Sequence, residues 1–372
     1  MTVKICHITS AHNSSDGRIL KKECVSLAKD KENDVYLVAK GDSYEYKGVH
    51  VVGVGEMPSG RLGRITKGTK LVFEKAVELD ADIYHLHDPE LLLYVKKLAR
   101  MGKKVIFDSH EYYYKQILDK YYIPKAIRKA AADFYLHIEN KACRYLSAAI
   151  FPCEIEGKHP FEGRAERCVF IDNFPIIEDD FEFRAHEKAE PVVCCVGSLT
   201  RERGIEQLVD ACYQAGVKLI IGGNFSPAEF EQHMLGKPEF ECVDYRGFCT
   251  KDQVDKIYRE SSIGVSNILH TGQYPFGTNF PTKVYECMMY GLPFAISDFE
   301  YNIKMVKKYE FGLIVRPDDP ADIARAIKYL LDNPEEYRKM SINGIEAVKN
   351  VFNWKTEEEK LCLLYKDIMS LK

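Results

Sequence analysis

The sequence has no hydrophobic run long enough to cross a membrane, because no apolar stretch approaches the ~18 residues that a spanning helix requires. Residues 1–8 also lack the apolar core and cleavage site of a signal peptide and are typical of a first strand. With 46% hydrophobic and 29% charged residues over 372 positions, the chain is too apolar for disorder and long enough for two α/β domains. We therefore expect a folded cytoplasmic protein.

Sequence signatures of a metal site are also missing. No Cys-x-x-Cys pair and no HExxH motif occurs, so the spacing of the cysteines and histidines does not favour zinc. Most of the twelve cysteines fall within apolar runs, as Cys194 and Cys195 do, which is typical of reduced thiols in a core. We expect neither a disulfide framework nor a structural metal.

The sequence lacks a dinucleotide fingerprint as well. The turn at residues 10–18 follows the first predicted strand and is polar, but it has no G-x-G-x-x-G pattern. This absence argues against a nicotinamide-dependent oxidoreductase, which would share paired Rossmann-like domains. The missing export signal argues in the same way against a two-lobed solute-binding protein.

Strand-like and helical segments alternate along the whole chain, and this alternation predicts α/β structure with parallel sheets. We predict two doubly wound Rossmann-like domains that face a central cleft, the first at 1–175 and the second at 192–352, with a linker at 176–191. A C-terminal helix at 353–372 is predicted to pack back towards the first domain. The predicted strands are Lys4–Thr9, Asp34–Ala39, Asp82–His85, Lys104–Asp108, Ala148–Phe151, Cys168–Ile171, Val192–Val196, Lys218–Ile221, Cys242–Tyr245, Ile263–Ser266, Pro293–Ile296 and Gly312–Val315.

Residues 271–293 combine a loop rich in Gly, Pro and Asn with a short helix, predicted at Thr282–Tyr290. The free N–H groups and positive dipole end of such a helix favour a phosphate or diphosphate near loop 277–279. Lys283 would add a positive charge, and Glu286, flanked by apolar residues, needs partners that a ribose diol would supply. The alternative interpretation is a surface ion pair between Lys283 and Glu286.

Two further loops of the second domain suit the same kind of ligand. Gly197 and Ser198 follow its first predicted strand, and Arg203 and Gly204 come just before a predicted helix. An arginine beside a helix N-terminus suits a diphosphate. Gly223 follows the next strand, where a missing side chain lets a ligand lie close to the backbone. The loops together indicate an anionic ligand of nucleotide size.

In the first domain, polar side chains follow two consecutive predicted strands. His87 and Asp88 come after one, and His110 and Glu111 come after the next. Because the carboxyl ends of parallel strands meet at one edge of a sheet, we expect these four side chains to gather facing the cleft. A histidine there can hydrogen-bond a sugar hydroxyl or a carbonyl. The alternative is that each histidine only caps a strand or a helix.

The combination of these motifs resembles the retaining nucleotide-sugar glycosyltransferases of family 4, which have the two-domain GT-B fold. Residues 197–204 resemble the family's segment Gly-x-Leu-x-x-x-(Lys/Arg)-Gly, and residues 279–293 resemble its donor-binding branch. Residues 312–320 and 352–354 resemble its C-terminal pattern. The acceptor-side motifs of bacterial surface-polysaccharide members are similar to residues 16–23, 87–89 and 108–111.

The resemblance implies transfer of a sugar from a nucleotide-diphosphate donor, with a UDP-sugar favoured, to a glycan or lipid-linked acceptor in cell-envelope polysaccharide synthesis. It implies that Arg203 and Lys283 stabilise the diphosphate and that His110 positions the donor sugar, with no metal, cofactor or nucleic acid involved. The implied donor-binding residues are Gly197, Ser198, Arg203, Gly223, Asn279, Lys283 and Glu286, and the acceptor-side residues are Asp16, Gly17, His87, Asp88 and Glu111. A nucleotide-sugar epimerase of the same fold is the closest alternative.

One position departs from the family pattern. Many members carry a glutamate eight residues before the ribose glutamate, near the hydroxyls of the donor sugar, and here that position is Thr278. We expect Asn279, Lys283 or the backbone of loop 277–280 to contact the sugar instead. The resemblance therefore does not identify the donor sugar.

Basic residues recur in two stretches of the first half, where residues 1–177 carry 28 Lys and Arg against 24 Asp and Glu. An anionic leaflet attracts each basic residue near its surface by about 1 kcal/mol, so we expect peripheral contact with the inner face of the plasma membrane. The alternative is two ordinary solvated helix faces. The residues concerned are Arg61, Arg64, Lys67 and Lys70, and then Lys115, Lys120, Lys125, Arg128 and Lys129.

Overall fold

Both halves of the chain form sheets of mainly parallel strands covered by helices, as the alternation of strands and helices predicts. The computed structural model describes residues 2–119 and 123–370, and of residues 61 and 119 only the backbone. Unit 1 comprises Met1–Asn173 with Trp354–Lys372, and unit 2 comprises Phe174–Asn353. Residues 176–191, the predicted linker, are therefore part of unit 2.

The sheet of unit 1 has the strand order β3-β4-β2-β1-β5-β6-β7-β8 over these bounds: β1 (Val3–Asn13), β2 (Asn33–Lys40), β3 (Tyr44–Tyr46), β4 (Val49–Gly53), β5 (Ile83–Leu86), β6 (Lys104–Asp108), β7 (Ala148–Phe151) and β8 (Cys168–Phe170). Neighbouring strands are parallel, except that β3 runs antiparallel to β4. Strand β1 lies between β2 and β5, with Ile5 opposite Val35 on one side and Ile83 on the other.

Six helices of unit 1 precede Asn173 in the described residues: α1 (Val25–Ala28), α2 (Gly60–Gly63), α3 (Thr69–Glu78), α4 (Leu92–Arg100), α5 (Tyr113–Asp119) and α6 (Lys125–Cys143). A π-helical segment, Ile19–Cys24, leads into α1, and a second, Arg64–Gly68, joins α2 to α3. Such wide turns are uncommon and often occur at functional sites. The first of them carries Glu23, which is fully buried.

Unit 2 has an entirely parallel sheet of strand order β11-β10-β9-β12-β13-β14. Its strands are β9 (Val192–Val196), β10 (Lys218–Gly222), β11 (Val243–Tyr245), β12 (Ile263–Ser266), β13 (Phe294–Ser297) and β14 (Gly312–Val315). Its helices are α7 (Ile205–Ala215), α8 (Ala228–Leu235), α9 (Lys251–Glu260), α10 (Thr282–Met289), α11 (Glu300–Tyr309), α12 (Pro320–Asp332) and α13 (Pro334–Asn350). Helix α10 ends one residue before its predicted end.

The last helix, α14 (Trp354–Ser370), packs on unit 1. The indole N–H of Trp354 donates a hydrogen bond to the Ser26 hydroxyl at 2.9 Å. Glu357, which is buried, accepts a hydrogen bond from the backbone N–H of Asp172 at 2.9 Å. The apolar residues on the same face, Leu361, Leu364 and Ile368, are buried at helical spacing.

The central strands are apolar because helices cover both faces of each sheet. Every residue of β5, β7, β12 and β13 is buried, so these strands read as continuous apolar runs. The twelve cysteines are free thiols, most of them buried, as predicted. Among residues 2–119 and 123–370, no helix has both the length and the apolar character needed to cross a membrane.

The strand order reverses at one point in each sheet, and ligands of doubly wound folds bind there, outside the carboxyl ends of the strands. In unit 1 the reversal lies between β1 and β5, which are followed by the Ser10 turn and by His87. In unit 2 it lies between β9 and β12, which are followed by Gly197 and Asn267. These two edges contain the candidate site residues.

Candidate functional site

In unit 2, two glycine loops pack backbone against backbone at the end of β9. Gly197 has φ +123° and Gly223 has φ +138°, a conformation that side chains rarely adopt. A Cβ atom on Gly223 would lie 1.8 Å from the carbonyl oxygen of Gly197. Glycine is therefore required at Gly223 by packing between the loops, whether or not a ligand approaches it. Ser198 is exposed beside them.

The N-terminus of α7 is fixed to the neighbouring strand by Asn267. The side-chain amide of Asn267 donates a hydrogen bond to the backbone oxygen of Gly204 at 2.7 Å. Gly204 has φ +66°, and a Cβ atom there would lie 2.2 Å from the backbone oxygen of Asn267. The loop before α7 is thus held against the end of β12, where the strand order reverses. Sequence reasoning missed Asn267, although its position directly after a strand could have indicated it.

Arg203 is a half-buried cation at this edge with no carboxylate within 4 Å among the described residues. Its Nη2 lies 3.5 Å from the Tyr274 hydroxyl, and its Nη1 lies 3.9 Å from where a Cβ of Gly197 would be. Arg201 differs, because it is more exposed and pairs with Glu206 at 3.0 Å. Arg203 is therefore the arginine of this loop that lacks a carboxylate partner among the described residues.

Lys283, in the first turn of α10, is buried with only 5% of its surface exposed. Its Nζ has a single hydrogen-bond partner among the described residues, the Cys195 thiol of β9 at 3.2 Å. A buried ammonium without a nearby anion is unfavourable, so this position calls for a negatively charged ligand. Arg203 and Lys283 thus both adjoin β9, one just past its end and the other beside Cys195.

Glu286 does not pair with Lys283 in the described contacts, which removes the surface ion pair as an explanation of the two residues. One carboxylate oxygen of Glu286 accepts a hydrogen bond from the Tyr258 hydroxyl at 2.7 Å, and the side chain is half-buried. Burial raises the pKa of Tyr258 well above its usual value, so the hydroxyl stays protonated and donates. The second carboxylate oxygen of Glu286 can accept a hydrogen bond from another donor.

Asn279 lies in the half-buried loop before α10.

In unit 1, Asp88 is almost completely buried and shapes the turn after β1. Its Oδ2 accepts hydrogen bonds from the Thr9 hydroxyl at 2.8 Å and from the backbone N–H groups of Ser10 at 2.6 Å and Ala11 at 3.2 Å. These hydrogen bonds satisfy Oδ2, and Oδ1 lies 3.7 Å from His12 Nε2, so Asp88 supports the edge of the sheet. His87 is also fully buried.

Asp16 stabilises the start of the π-helical segment. Its Oδ1 accepts hydrogen bonds from the backbone N–H groups of Arg18 at 2.8 Å and Ile19 at 2.9 Å. His12 contacts its other oxygen at 3.2 Å. Burial opposes ionisation of Asp16, but these hydrogen bonds outweigh it and lower its pKa. Gly17 is exposed, and a Cβ there would meet no neighbour.

His110 is the sequence-predicted histidine that reaches the surface of unit 1. Its side chain is 16% exposed, and its Nε2 lies 3.1 Å from Asp108 Oδ2. Asp108 is fully buried and receives two hydrogen bonds from the Arg18 guanidinium, at 2.8 and 3.0 Å. The rings of His110 and His12 are 5.0 Å apart, and His12 is 32% exposed. His12 is thus a second accessible histidine of the edge, and the sequence analysis did not single it out. The backbone oxygen of Glu111 accepts a hydrogen bond from Ser109.

Comparison with known proteins relates the chain to glycosyltransferases. Residues 176–347, nearly all of unit 2, match the family model described as "Glycosyl transferases group 1". Two solved structures share the fold of the chain. Sucrose-phosphate synthase from Thermosynechococcus elongatus superposes with a TM-score of 0.77 at 17% identity, covering 100% of both chains. Anabaena Alr3699/HepE in complex with UDP and glucose superposes with a TM-score of 0.72 at 15% identity, covering 98% of this chain and 100% of that one.

The chain has the GT-B fold, and nearly all of unit 2 matches the group 1 glycosyltransferase family. It is also similar to alpha-D-kanosaminyltransferase of Streptomyces kanamyceticus, with 23% identity over 257 residues. That match covers 65% of this chain and 62% of the relative, so the chain spans less than two thirds of the relative's length. The sequence-based predictions of fold class and of a glycosyltransferase are confirmed.

The segment that matches the group 1 family contains all the residues predicted on the donor side, which fall between Gly197 and Glu286. The structure brings Gly197, Arg203 and Gly223 together at the end of β9. Lys283 adjoins the same strand, because its Nζ contacts the Cys195 thiol of β9. In unit 1, the predicted catalytic residue His110 reaches the surface, while the predicted acceptor-side residues His87 and Asp88 are buried.

In the two basic stretches, four of the seven residues whose side chains are described pair with carboxylates. Arg64 pairs with Glu90, Lys70 with Glu74 and Lys129 with Asp133. Such pairs reduce the net positive charge that each stretch offers to an anionic surface. Lys67 and Lys125 are exposed, and Lys115 pairs with Glu156. The Arg61 side chain and Lys120 lie outside the described residues, and Arg128 Nε donates to the backbone oxygen of Ile123.

Proposed function

We propose that the glycosyltransferase moves a sugar from a nucleoside-diphosphate sugar, a UDP-sugar being favoured, to a glycan or lipid-linked acceptor of the cell envelope, with retention of anomeric configuration. The observation that carries the proposal is the pair of cations beside β9. Arg203 and Lys283 lack carboxylate partners among the described residues, although each is at least half-buried. A diphosphate supplies the missing negative charge.

The surroundings of the two cations support a phosphate ligand. Arg203 precedes the N-terminus of α7, and Lys283 lies in the first turn of α10, so helix dipoles add to their charge. The glycine loops at Gly197 and Gly223 leave no side chain between them and a ligand. Complexes of the HepE structure contain UDP with glucose, and UDP-glucose, which agrees with a uridine donor for a protein of this fold.

The proposed reaction needs no protein nucleophile. Arg203 and Lys283 stabilise the charge that grows on the diphosphate as the glycosidic bond breaks. The departing diphosphate oxygen takes the proton of the acceptor hydroxyl, which attacks on the same face, so the configuration is retained. Unit 1 is proposed to bind the acceptor, and His110 is proposed to position the donor sugar.

The proposal is tested by mass analysis of the products formed from a panel of nucleotide sugars, with and without acceptor extracts. Transfer requires the acceptor and releases the nucleoside diphosphate. An epimerase would instead interconvert or hydrolyse the donor with no acceptor present. Absence of acceptor-dependent product from the whole panel, with a protein that binds UDP, would count against transfer.

Glu286→Gln is expected to weaken UDP binding about 10–150-fold, because a hydrogen bond to a charged group is worth ~1.5–3 kcal/mol. The carboxylate oxygen not used by Tyr258 is proposed to accept from a ribose hydroxyl. Calorimetric titration of UDP into the wild type and the variant measures the difference. Tyr258→Phe is the control, since it removes the internal partner of Glu286 and leaves the charge in place. Equal affinities for wild type and Glu286→Gln would exclude the ribose role.

Added Mg²⁺ or Mn²⁺ is expected not to raise the transfer rate, because Arg203 and Lys283 already neutralise the leaving diphosphate. The rate is measured in buffer freed of divalent ions and then with millimolar metal. The Arg203→Ala variant is the control, since a small cation has room to substitute for a lost guanidinium. A strict requirement of the wild type for either ion would contradict the assignment of the two cations.

Weak binding to anionic liposomes at low salt is expected if unit 1 approaches a lipid-linked acceptor on the membrane. Because Arg64 and Lys70 are paired with carboxylates, the attraction is expected to be weak, and salt is expected to screen it further. Co-sedimentation over a salt series measures it, and charge reversal of Arg61, Arg64, Lys67 and Lys70 should abolish it. A wild type that stays in the supernatant at the lowest salt would favour a soluble acceptor.

A further inference from the structure

Three histidines and one glutamate form a fully buried cluster in unit 1, next to His110 but with no part in the proposed transfer. His7 lies on β1, His85 on β5 and His87 just after it, while Glu23 comes from the π-helical segment before α1. None of the four has exposed surface. One nitrogen or oxygen atom from each lies within 4.8 Å of the corresponding atoms of the others.

Glu23 is the unusual member of the cluster. Its Oε2 is almost equidistant from three ring nitrogens, at 3.9 Å from His7 Nδ1, 4.0 Å from His85 Nδ1 and 3.8 Å from His87 Nε2. These separations are too long for hydrogen bonds. Neither carboxylate oxygen has a hydrogen-bond partner among the described residues, although Arg18 Nε faces Oε1 at 3.0 Å. Buried polar atoms that are left unsatisfied call for an explanation, and an ion between them is one.

We propose that His7, His85, His87 and Glu23 bind one divalent transition-metal ion of the zinc type. Three neutral imidazoles and one carboxylate are a ligand set that zinc takes, and ligands at about 2.1 Å around a tetrahedral ion lie roughly 3.4 Å apart. The three distances from Glu23 are slightly longer than this. The His7 Nδ1 to His87 Nε2 distance, 2.9 Å, is slightly shorter and opens when the ion enters.

The outer contacts of His7 and His87 also fit metal ligands, whose second nitrogen usually donates to a carboxylate or another acceptor. His85 Nε2 has no hydrogen-bond partner among the described residues. His87 Nδ1 lies 3.5 Å from Asp108 Oδ2, and His7 Nε2 lies 3.3 Å from the Tyr365 hydroxyl. The Tyr365 hydroxyl also contacts His85 Nδ1 at 2.8 Å, and coordination of Nδ1 to the ion replaces this hydrogen bond.

A second group of metal-ligand type shares His87 and consists of His87, Asp108 and His110. Its carboxylate is already held by two hydrogen bonds from the Arg18 guanidinium. The group also has three ligands where the first has four. The Glu23 cluster is therefore the stronger candidate, and an ion there would fix the ends of β1 and β5 and orient His87, whose Nδ1 lies 3.4 Å from His110.

The wild-type chain gives the deciding measurement. The full chain is produced in zinc-supplemented medium, purified without a polyhistidine tag and passed through gel filtration, and its metals are determined by mass spectrometry. Because the site has no exposed surface, a second sample is unfolded in denaturant with a chelator and refolded with Zn²⁺ or Co²⁺. We expect about one ion per chain by both routes. We also expect visible absorption of tetrahedral cobalt and a higher Tm with Zn²⁺ than with the chelator alone.

Variants locate the ion. Glu23→Gln and His85→Gln are expected to lose the bound metal and the zinc-dependent rise in Tm, while His159→Gln, a change at another largely buried histidine of unit 1, should keep both. A wild type that is metal-free by both routes, with the same Tm in zinc and chelator, would overturn the proposal and indicate a proton on Glu23 instead. Metal that persists in both cluster variants would overturn it as well. A variant that fails to fold leaves the decision to the wild-type measurement.

Discussion

Arg203→Ala should lower kcat about 10²–10³-fold and raise KM much less, because the charge on the leaving diphosphate is largest in the transition state. Arg203 is half-buried at the edge of unit 2, and no described carboxylate competes for its guanidinium. Initial rates over a range of donor concentrations separate the two constants. A rise in KM at unchanged kcat would show that Arg203 only binds the donor.

The loop that carries Arg203 also offers a matched control. Arg201→Ala removes an arginine two positions away whose charge is already paired with Glu206 at 3.0 Å. It should change kcat less than about twofold, since an exposed ion pair contributes little. An equal loss in both variants would point to a disturbed loop and not to lost charge.

Lys283→Met extends the same prediction to α10. Methionine has similar length and no charge, so it should fill the buried space beside Cys195 without an isolated ammonium, and stability should be equal or higher. The transfer rate should nevertheless fall as it does for Arg203→Ala. Thermal unfolding and transfer kinetics, measured on one preparation, test the predicted stability and the predicted loss of rate. A variant that is both active and stable would remove Lys283 from the site.

The second large effect is expected in unit 1, where Arg18→Met should lower the free energy of unfolding by about 3–5 kcal/mol. The guanidinium makes two hydrogen bonds to Asp108, at 2.8 and 3.0 Å, and donates to the backbone oxygen of Ile171 at 3.0 Å. Its removal leaves the buried carboxylates of Asp108 and Glu23 without their cation. Urea unfolding followed by a signal from unit 1, such as Trp354 fluorescence, measures the loss.

Arg167→Met serves as the comparison for Arg18→Met. Arg167 is half-buried, and its partner Glu166, at 2.8 Å, is 61% exposed. The expected change is under about 1 kcal/mol, because water screens such a pair. Similar losses in the two variants would mean that the Arg18 network does not stabilise unit 1 more than a surface ion pair does.

Local patterns in the sequence were sufficient for most of the fold. Strands such as β9 and β12 are short apolar runs that helices cover on both faces, so composition alone marks them. Strand β3 was missed because it lies at the sheet edge, where Tyr44–Tyr46 is largely exposed and carries little periodicity. Strand β4, a run of five residues between β3 and β2, was missed as well. The predicted position of α10 was correct to one residue because proline and glycine bound it.

The chemistry of the unit 1 edge could not be predicted in the same way. His87 and Asp88 follow a strand, as expected, yet contacts with residues about 80 positions away bury them. The hydroxyl of Tyr365 lies 280 positions from His85 and 358 from His7, and no local pattern indicates such a contact. In unit 2, by contrast, the loop glycines and Arg203 are close in sequence, so sequence motifs alone predicted that they belong to one site.

The return of α14 to unit 1 bears on the order in which the protein acquires structure during synthesis. Unit 2 is one uninterrupted segment, Phe174–Asn353, so all of its strands are synthesised before α14. Unit 1 needs residues on both sides of that segment, including Trp354 against Ser26 and Tyr365 against the buried histidines. A nascent chain therefore completes its second unit first and holds an unfinished first unit meanwhile, with apolar strand surface open to chaperones until α14 emerges.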